Sequence, residues 1–109
     1  MLVILFRSRL RAEAGKDYQD KAAEMLAYAK TRPGYVDYKQ FQAEDGERLT
    51  VVRWQDRETL DAWRRDSRHR EAKQLGREHW YASYDIEIAE VIDEHHFEHA
   101  EPREAERAG

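Results

Sequence analysis

Residues 33–54, PGYVDYKQFQAEDGERLTVVRW, decide the fold. At their centre, Glu44-Asp45-Gly46-Glu47 is a turn built on Asp-Gly, a pair that tolerates the left-handed backbone of a tight hairpin. On either side, Tyr35 to Ala43 and Arg48 to Trp54 read as strands. In the second strand Leu49, Val51 and Arg53 share one face and Thr50, Val52 and Trp54 the other, because side chains alternate along a strand. Thr31-Arg32-Pro33-Gly34 stops whatever precedes the hairpin. Pro33 has no N–H to continue a helix, and Gly34 gives the permissive backbone of a turn.

Upstream, Tyr18, Ala22, Met25 and Ala29, with Leu26 beside them, recur at helical spacing and predict a helix from Asp17 to Lys30. Before it, Leu2 to Leu10 alternates as a strand. Leu2, Ile4, Phe6, Ser8 and Leu10 lie on one face, and Val3, Leu5, Arg7 and Arg9 on the other. Downstream, Asp56 is placed to cap a second helix with Leu60 and Trp63 inward. A break is expected near Asp66-Ser67, then another short helix carrying Ala72 and Leu75 and capped at its C-terminus by Gly76. Trp80 to Ile92 predicts the last strand, with Ala82, Tyr84, Ile86 and Ile88 on one face and Tyr81, Ser83, Asp85, Glu87, Ala89 and Val91 on the other.

The order β-α-β-β-α-β is that of a ferredoxin-like α+β domain, a four-stranded antiparallel sheet with helices on one face. With 109 residues the chain has room for one core. No element remains to cover the second sheet face, so the order itself predicts a homodimer packed sheet to sheet. The domain is expected over residues 1–93, and 94–109 as a charged, partly disordered tail containing Pro102.

Apolar residues make up 40% and charged residues 39%, with a net charge of −4. An acidic balance argues against nucleic acid as a partner. No apolar run approaches the roughly 18 residues of a membrane span. The apolar stretch Met1 to Phe6 comes before Arg7, Arg9 and Arg11, the reverse of a signal peptide. Without cysteine there is neither a disulfide framework nor thiolate chemistry, and a cytoplasmic protein is expected. His95, His96 and His99 cluster among acids. His95 and His99 have the i, i+4 spacing of a metal site, but a solvated tail is the simpler reading.

Beyond the hairpin, Trp63, His69, Gly76, Arg77, Trp80 and Tyr81 form the run W-x5-H-x6-G-R-x2-W-Y. Together with Pro33-Gly34-Tyr35 and the Asp45-Gly46 turn, this resembles the antibiotic biosynthesis monooxygenase (ABM) superfamily, most closely its small stand-alone bacterial members. The resemblance covers roughly residues 1 to 93. It implies a dimeric α+β barrel with a pocket between sheet and helices in each subunit. Members of that family oxidise aromatic, polyketide-like substrates with dioxygen and neither metal nor flavin. Others degrade haem, and others are isomerases.

Within that frame, His69 is the candidate general base, since an imidazole titrates near neutrality. A helix histidine bonded to a nearby backbone group is the bland alternative. Tyr81 could donate a hydrogen bond to a substrate oxygen, and Arg77 could hold an anion or simply answer a helix dipole. Trp63 and Trp80, with Tyr84, Phe6 and Ser8 from the strands, are candidates to frame a flat ligand, though core packing is the commoner fate of tryptophan. Three functions stay open: a cofactor-independent monooxygenase acting on a small aromatic or quinol-like compound, a haem-binding or haem-degrading protein, and a non-enzymatic dimeric binding or stress-related module. The haem-degrading constellation of the resemblance wants an Asn on the first strand, a Trp on the second helix and an axial His ten residues on. This chain has Ser8, Trp63 and Lys73 there.

Overall fold

A computed structural model describes residues 1–100. Eight elements follow in order: β1 (Leu2–Leu10), α1 (Lys16–Ala29), β2 (Tyr35–Gln42), β3 (Arg48–Trp54), α2 (Arg57–Arg65), α3 (Ser67–Leu75), one π-helical turn (Gly76–Trp80) and β4 (Tyr81–Glu90). The strands form one antiparallel sheet in the order β2-β3-β1-β4. This is the ferredoxin-like arrangement anticipated from the element order. The tail expected at 94–109 lies mostly outside the described residues, and no regular element is present over 91–99. No helix among the described residues is long and apolar enough to cross a membrane.

The core sits under the end of the sheet away from the β2–β3 hairpin loop, where Leu2 and Tyr35 pair with Trp54. Trp54 and Leu60 are fully buried, and Leu2, Ala29 and Trp63 join them. Gly34 explains how α2 comes so close to the turn. Its φ is +88°, and a Cβ there would collide with the Thr59 side chain. Two kinds of constraint therefore select glycine, the backbone region and the approach of α2. Asp56 caps α2, accepting from Thr59 N at 2.8 Å. The break between α2 and α3 falls at Asp66, where the backbone is extended and the carboxylate caps α3 by accepting from Arg68 N at 2.9 Å and His69 N at 3.2 Å.

Three local expectations are corrected. Gly76 is not a left-handed cap, because its φ is −59° and the helix runs on through it as a π turn. Glycine is needed there because a Cβ would lie 2.6 Å from Tyr81 Cε2. β4 starts one residue later than expected and stops at Glu90, leaving Ile92 exposed. Tyr81 does not share a face with Ser83. The β1–β4 register runs from Arg9↔Ser83 to Leu10↔Tyr81, leaving Ala82 as an extra residue. A bulge shifts the alternation by one, and Tyr81 comes round to the face of Tyr84, with ring centroids 5.8 Å apart.

Candidate active site

The aromatic side chains form two groups on the helix-covered face of the sheet. At the core end, Trp63 stacks on Trp54 (centroids 5.6 Å) and on His69 (4.2 Å), and Tyr28 and Tyr35 close the group. At the other end, Phe6 meets Tyr81 at 5.4 Å and Tyr84 at 5.5 Å, and Tyr18 meets Trp80 at 5.6 Å and Tyr81 at 5.8 Å. No ring contact joins the two groups among the described residues. Between them lies a cavity of about 340 Å³ lined by members of both and floored by Ile4 and Val52. That volume falls at the small end of ligand sites.

His69 is held from α3 by the Asp66 cap on its own N–H. Its Nδ1 lies 3.1 Å from Trp63 O. A carbonyl only accepts, so in the neutral ring Nδ1 carries the proton and Nε2 keeps its lone pair. The backbone bond foreseen as the bland role is thus present, and it fixes the tautomer that leaves Nε2 free to accept. Burial pushes the imidazole down to about 4, and Lys73 adds to the effect, against the opposing pull of the Trp63 carbonyl. The ring is neutral at neutral pH.

Burial, with Tyr18 next to it, pushes the Tyr81 phenol far up. The Tyr81 hydroxyl therefore keeps its proton at neutral pH. Burial also raises the Tyr38 phenol. Arg48 stands by these rings with its guanidinium carbon 5.5 Å from the Tyr18 centroid. Trp80 Nε1 donates to Asp17 Oδ2 at 3.3 Å. That bond, more than any other effect, holds the Asp17 carboxyl below the usual range and ties α1 to the π turn.

The structure brings six of the candidates to one cavity: His69, Tyr81, Trp63, Trp80, Tyr84 and Phe6. It does not bring Arg77 there. Arg77 is exposed and bonds Gln74 Oε1 at 3.2 Å, because continuing the helix past Leu75 carries it onto the outer surface. Ser8 is buried, paired between Arg48 of β3 and Tyr84 of β4, and is not part of the cavity wall. Sequence reasoning did not count Tyr18, Tyr38, Arg48 or Lys73 among the site residues, yet all four line the cavity. Of these, Tyr18 carried a signal as an inward position of α1, and Lys73 as the residue ten positions after Trp63. Among the described residues, His95, His96 and His99 build no group that could hold a metal.

The haem-degrading constellation is not assembled: the position where the resemblance puts an axial histidine is Lys73, and the first-strand position, Ser8, is not part of the cavity wall.

Residues 1–75 match the family described as antibiotic biosynthesis monooxygenase. The chain is 31% identical over 84 residues to the uncharacterized protein YqjZ of Bacillus subtilis (strain 168), covering 77% of this chain and 74% of that one. Among solved structures, Rv0793 from Mycobacterium tuberculosis superposes with a TM-score of 0.74 at 18% identity, over 85% of this chain and 96% of that one. SnoaB, a cofactor-independent oxygenase from Streptomyces nogalater, superposes with a TM-score of 0.71 at 12% identity, over 85% and 94%. At those identities the two structures speak for the fold.

Proposed function

Since the chain belongs to the antibiotic biosynthesis monooxygenase family, we propose that it is a cofactor-independent monooxygenase that oxidises a small aromatic compound with dioxygen. The observation that carries this reading is the free Nε2 of His69, held as a neutral acceptor beside an aromatic-walled cavity. An open cavity reaching His69 also speaks for a working site over a vestigial one.

In this reading a phenolic substrate lies between the two aromatic groups, framed by Trp63, Trp80, Phe6 and Tyr84. His69 Nε2 accepts the phenolic proton. Burial makes the free ring a weak base, but a phenolate formed beside it offsets the cost of the imidazolium. Tyr81 donates to an oxygen of the substrate and stays protonated throughout. The electron-rich phenolate then reacts with dioxygen. A ring carbon bearing two hydrogens becomes a carbonyl, and both hydrogens leave with the second oxygen atom as water. The substrate supplies every electron, so the balance needs no external reductant. Arg77, outside the cavity, takes no part in this step.

Oxygen uptake with hydroxylated anthrones and naphthols tests the reading. The expected result is uptake that His69→Ala reduces by about a hundredfold or more and Tyr81→Phe by about tenfold. No uptake on any of these compounds, or uptake indifferent to both substitutions, would overturn it.

A further inference from the structure

Every charged side chain that lines the cavity is a cation. Lys21, Arg48, Arg64 and Lys73 reach its wall, and among the described residues no aspartate or glutamate does, although the chain as a whole carries a net charge of −4. Two of the four have partners, Lys21 at 3.2 Å from Glu24 and Arg64 at 3.6 Å from Asp61. Among the described residues Arg48 and Lys73 form no ion pair. Arg48 rests against the Tyr18 ring. Lys73 is half-buried, and its ammonium is disfavoured first by desolvation and then by Arg77 and Arg64.

A second observation lies outside. A groove on the surface of α3 is lined by Arg64, Arg70, Lys73 and Arg77, with Glu71 as its one acid. Arg64 and Lys73 belong to both groove and cavity. The cationic strip therefore runs unbroken from the surface to the aromatic wall. Like charges gathered in excess of their counter-charges repel one another, and an incoming anion relieves that repulsion.

We infer that the cavity takes an aromatic ligand bearing a negative charge, a carboxylate or an ionised acidic phenol, drawn in along the α3 groove and neutralised by Arg48 and Lys73. This rests on the aromatic-site reading above and narrows its substrate class. Charge complementarity of this kind sets selectivity and approach rate more than total affinity.

Calorimetric titration with 1-naphthoate and 1-naphthalenemethanol tests it, since the two share a ring and differ in charge. The expected result is naphthoate binding about tenfold tighter than the alcohol, one per chain. Arg48→Gln and Lys73→Gln should each remove most of that preference, weakening naphthoate far more than the alcohol. Raising salt with the unmodified protein should weaken naphthoate alone, a readout that survives if a variant fails to fold. Equal binding of the two compounds would overturn the charge inference and leave the aromatic site standing. A preference untouched by both substitutions and by salt would overturn the assignment to Arg48 and Lys73. Binding of neither compound would overturn the inference together with the aromatic site, whereas oxygen uptake reports on the proposed reaction independently.

Discussion

The imidazole of His69 lies flat on the indole of Trp63, with centroids 4.2 Å apart and planes 18° from parallel, while its Nδ1 is bonded to the carbonyl oxygen of that same tryptophan at 3.1 Å. One residue thus fixes the ring's plane and its tautomer. The same burial makes protonation of the folded state costly, with a consequence for stability. His69 sits at about 4 in the folded chain against an ordinary 6.5. As pH falls, the unfolded chain takes up this proton first, so the stabilisation is complete above pH 6.5 and is lost as pH drops from 6.5 towards 4. The slope from this one group is at most about 1.4 kcal/mol per pH unit. Urea melts of the unmodified chain and of His69→Gln across this range should converge as pH falls. A constant gap between them would show that the ring takes up its proton as readily folded as unfolded.

Gly76→Ala should disturb the site from behind. The added Cβ would fall 2.6 Å from Tyr81 Cε2 and 2.8 Å from Cδ2, so the phenol must move. A loss of about 1–3 kcal/mol is expected, with weaker binding of aromatic ligands. In a Tyr81→Ala background the same substitution should cost little, a non-additivity that a double-mutant cycle reads directly.

Asp66 joins three elements. It caps α3 through Oδ1 and accepts the Tyr28 hydroxyl from α1 at 2.6 Å through Oδ2. The Tyr28 bond, more than any other effect, keeps the carboxyl below its usual range. Asp66→Ala should cost about 1–3 kcal/mol, and Asp66→Asn less. Because His69 N is one of the capped groups, the His69 ring signals in a proton NMR spectrum should shift in the alanine variant. Unshifted signals would mean that Trp63 alone positions the ring.

The face of the sheet away from the helices carries Val3, Leu5, Leu49 and Val51 at alternate positions, beside the Arg53–Asp37 pair at 2.6 Å. We expect a second copy of the chain to cover it. Light scattering should give twice the chain mass of 13.0 kDa, and Leu5→Asp should halve it by placing an unpaired charge in the interface. An unmodified protein that scatters as a single chain would rule the dimer out.

The hairpin, the break at Asp66 and the order of elements along the chain were legible because each rests on local chemistry: an Asp-Gly turn, a helix cap, strict alternation. Trp63 and His69 were each legible as candidates, whereas their stacking follows from the turn of chain at that break. The polar end of the cavity was not. Tyr18, Tyr38 and Arg48 come from α1, β2 and β3, and only the sheet register and the packing of α1 bring them together. Arg77 was misplaced because nothing in Gly76-Arg77 distinguishes a glycine that ends a helix from one that makes room for a ring. The face of Tyr81 was misread for a similar reason, since alternation presumes that no residue is skipped.

That skipped residue has a wider consequence. Counting in steps of two back from Tyr84 arrives at Ala82 and misses Tyr81, which the bulge has turned into the cavity. Were Ala82 instead to take the place opposite Leu10, the ladder would be even and the Tyr81 hydroxyl would turn outward, away from the cavity. The hydroxyl's presence in the cavity is therefore a property of strand register at one point as much as of residue type. Two chains of this fold with the same Trp-Tyr pair need not present the same chemistry unless they also share the bulge.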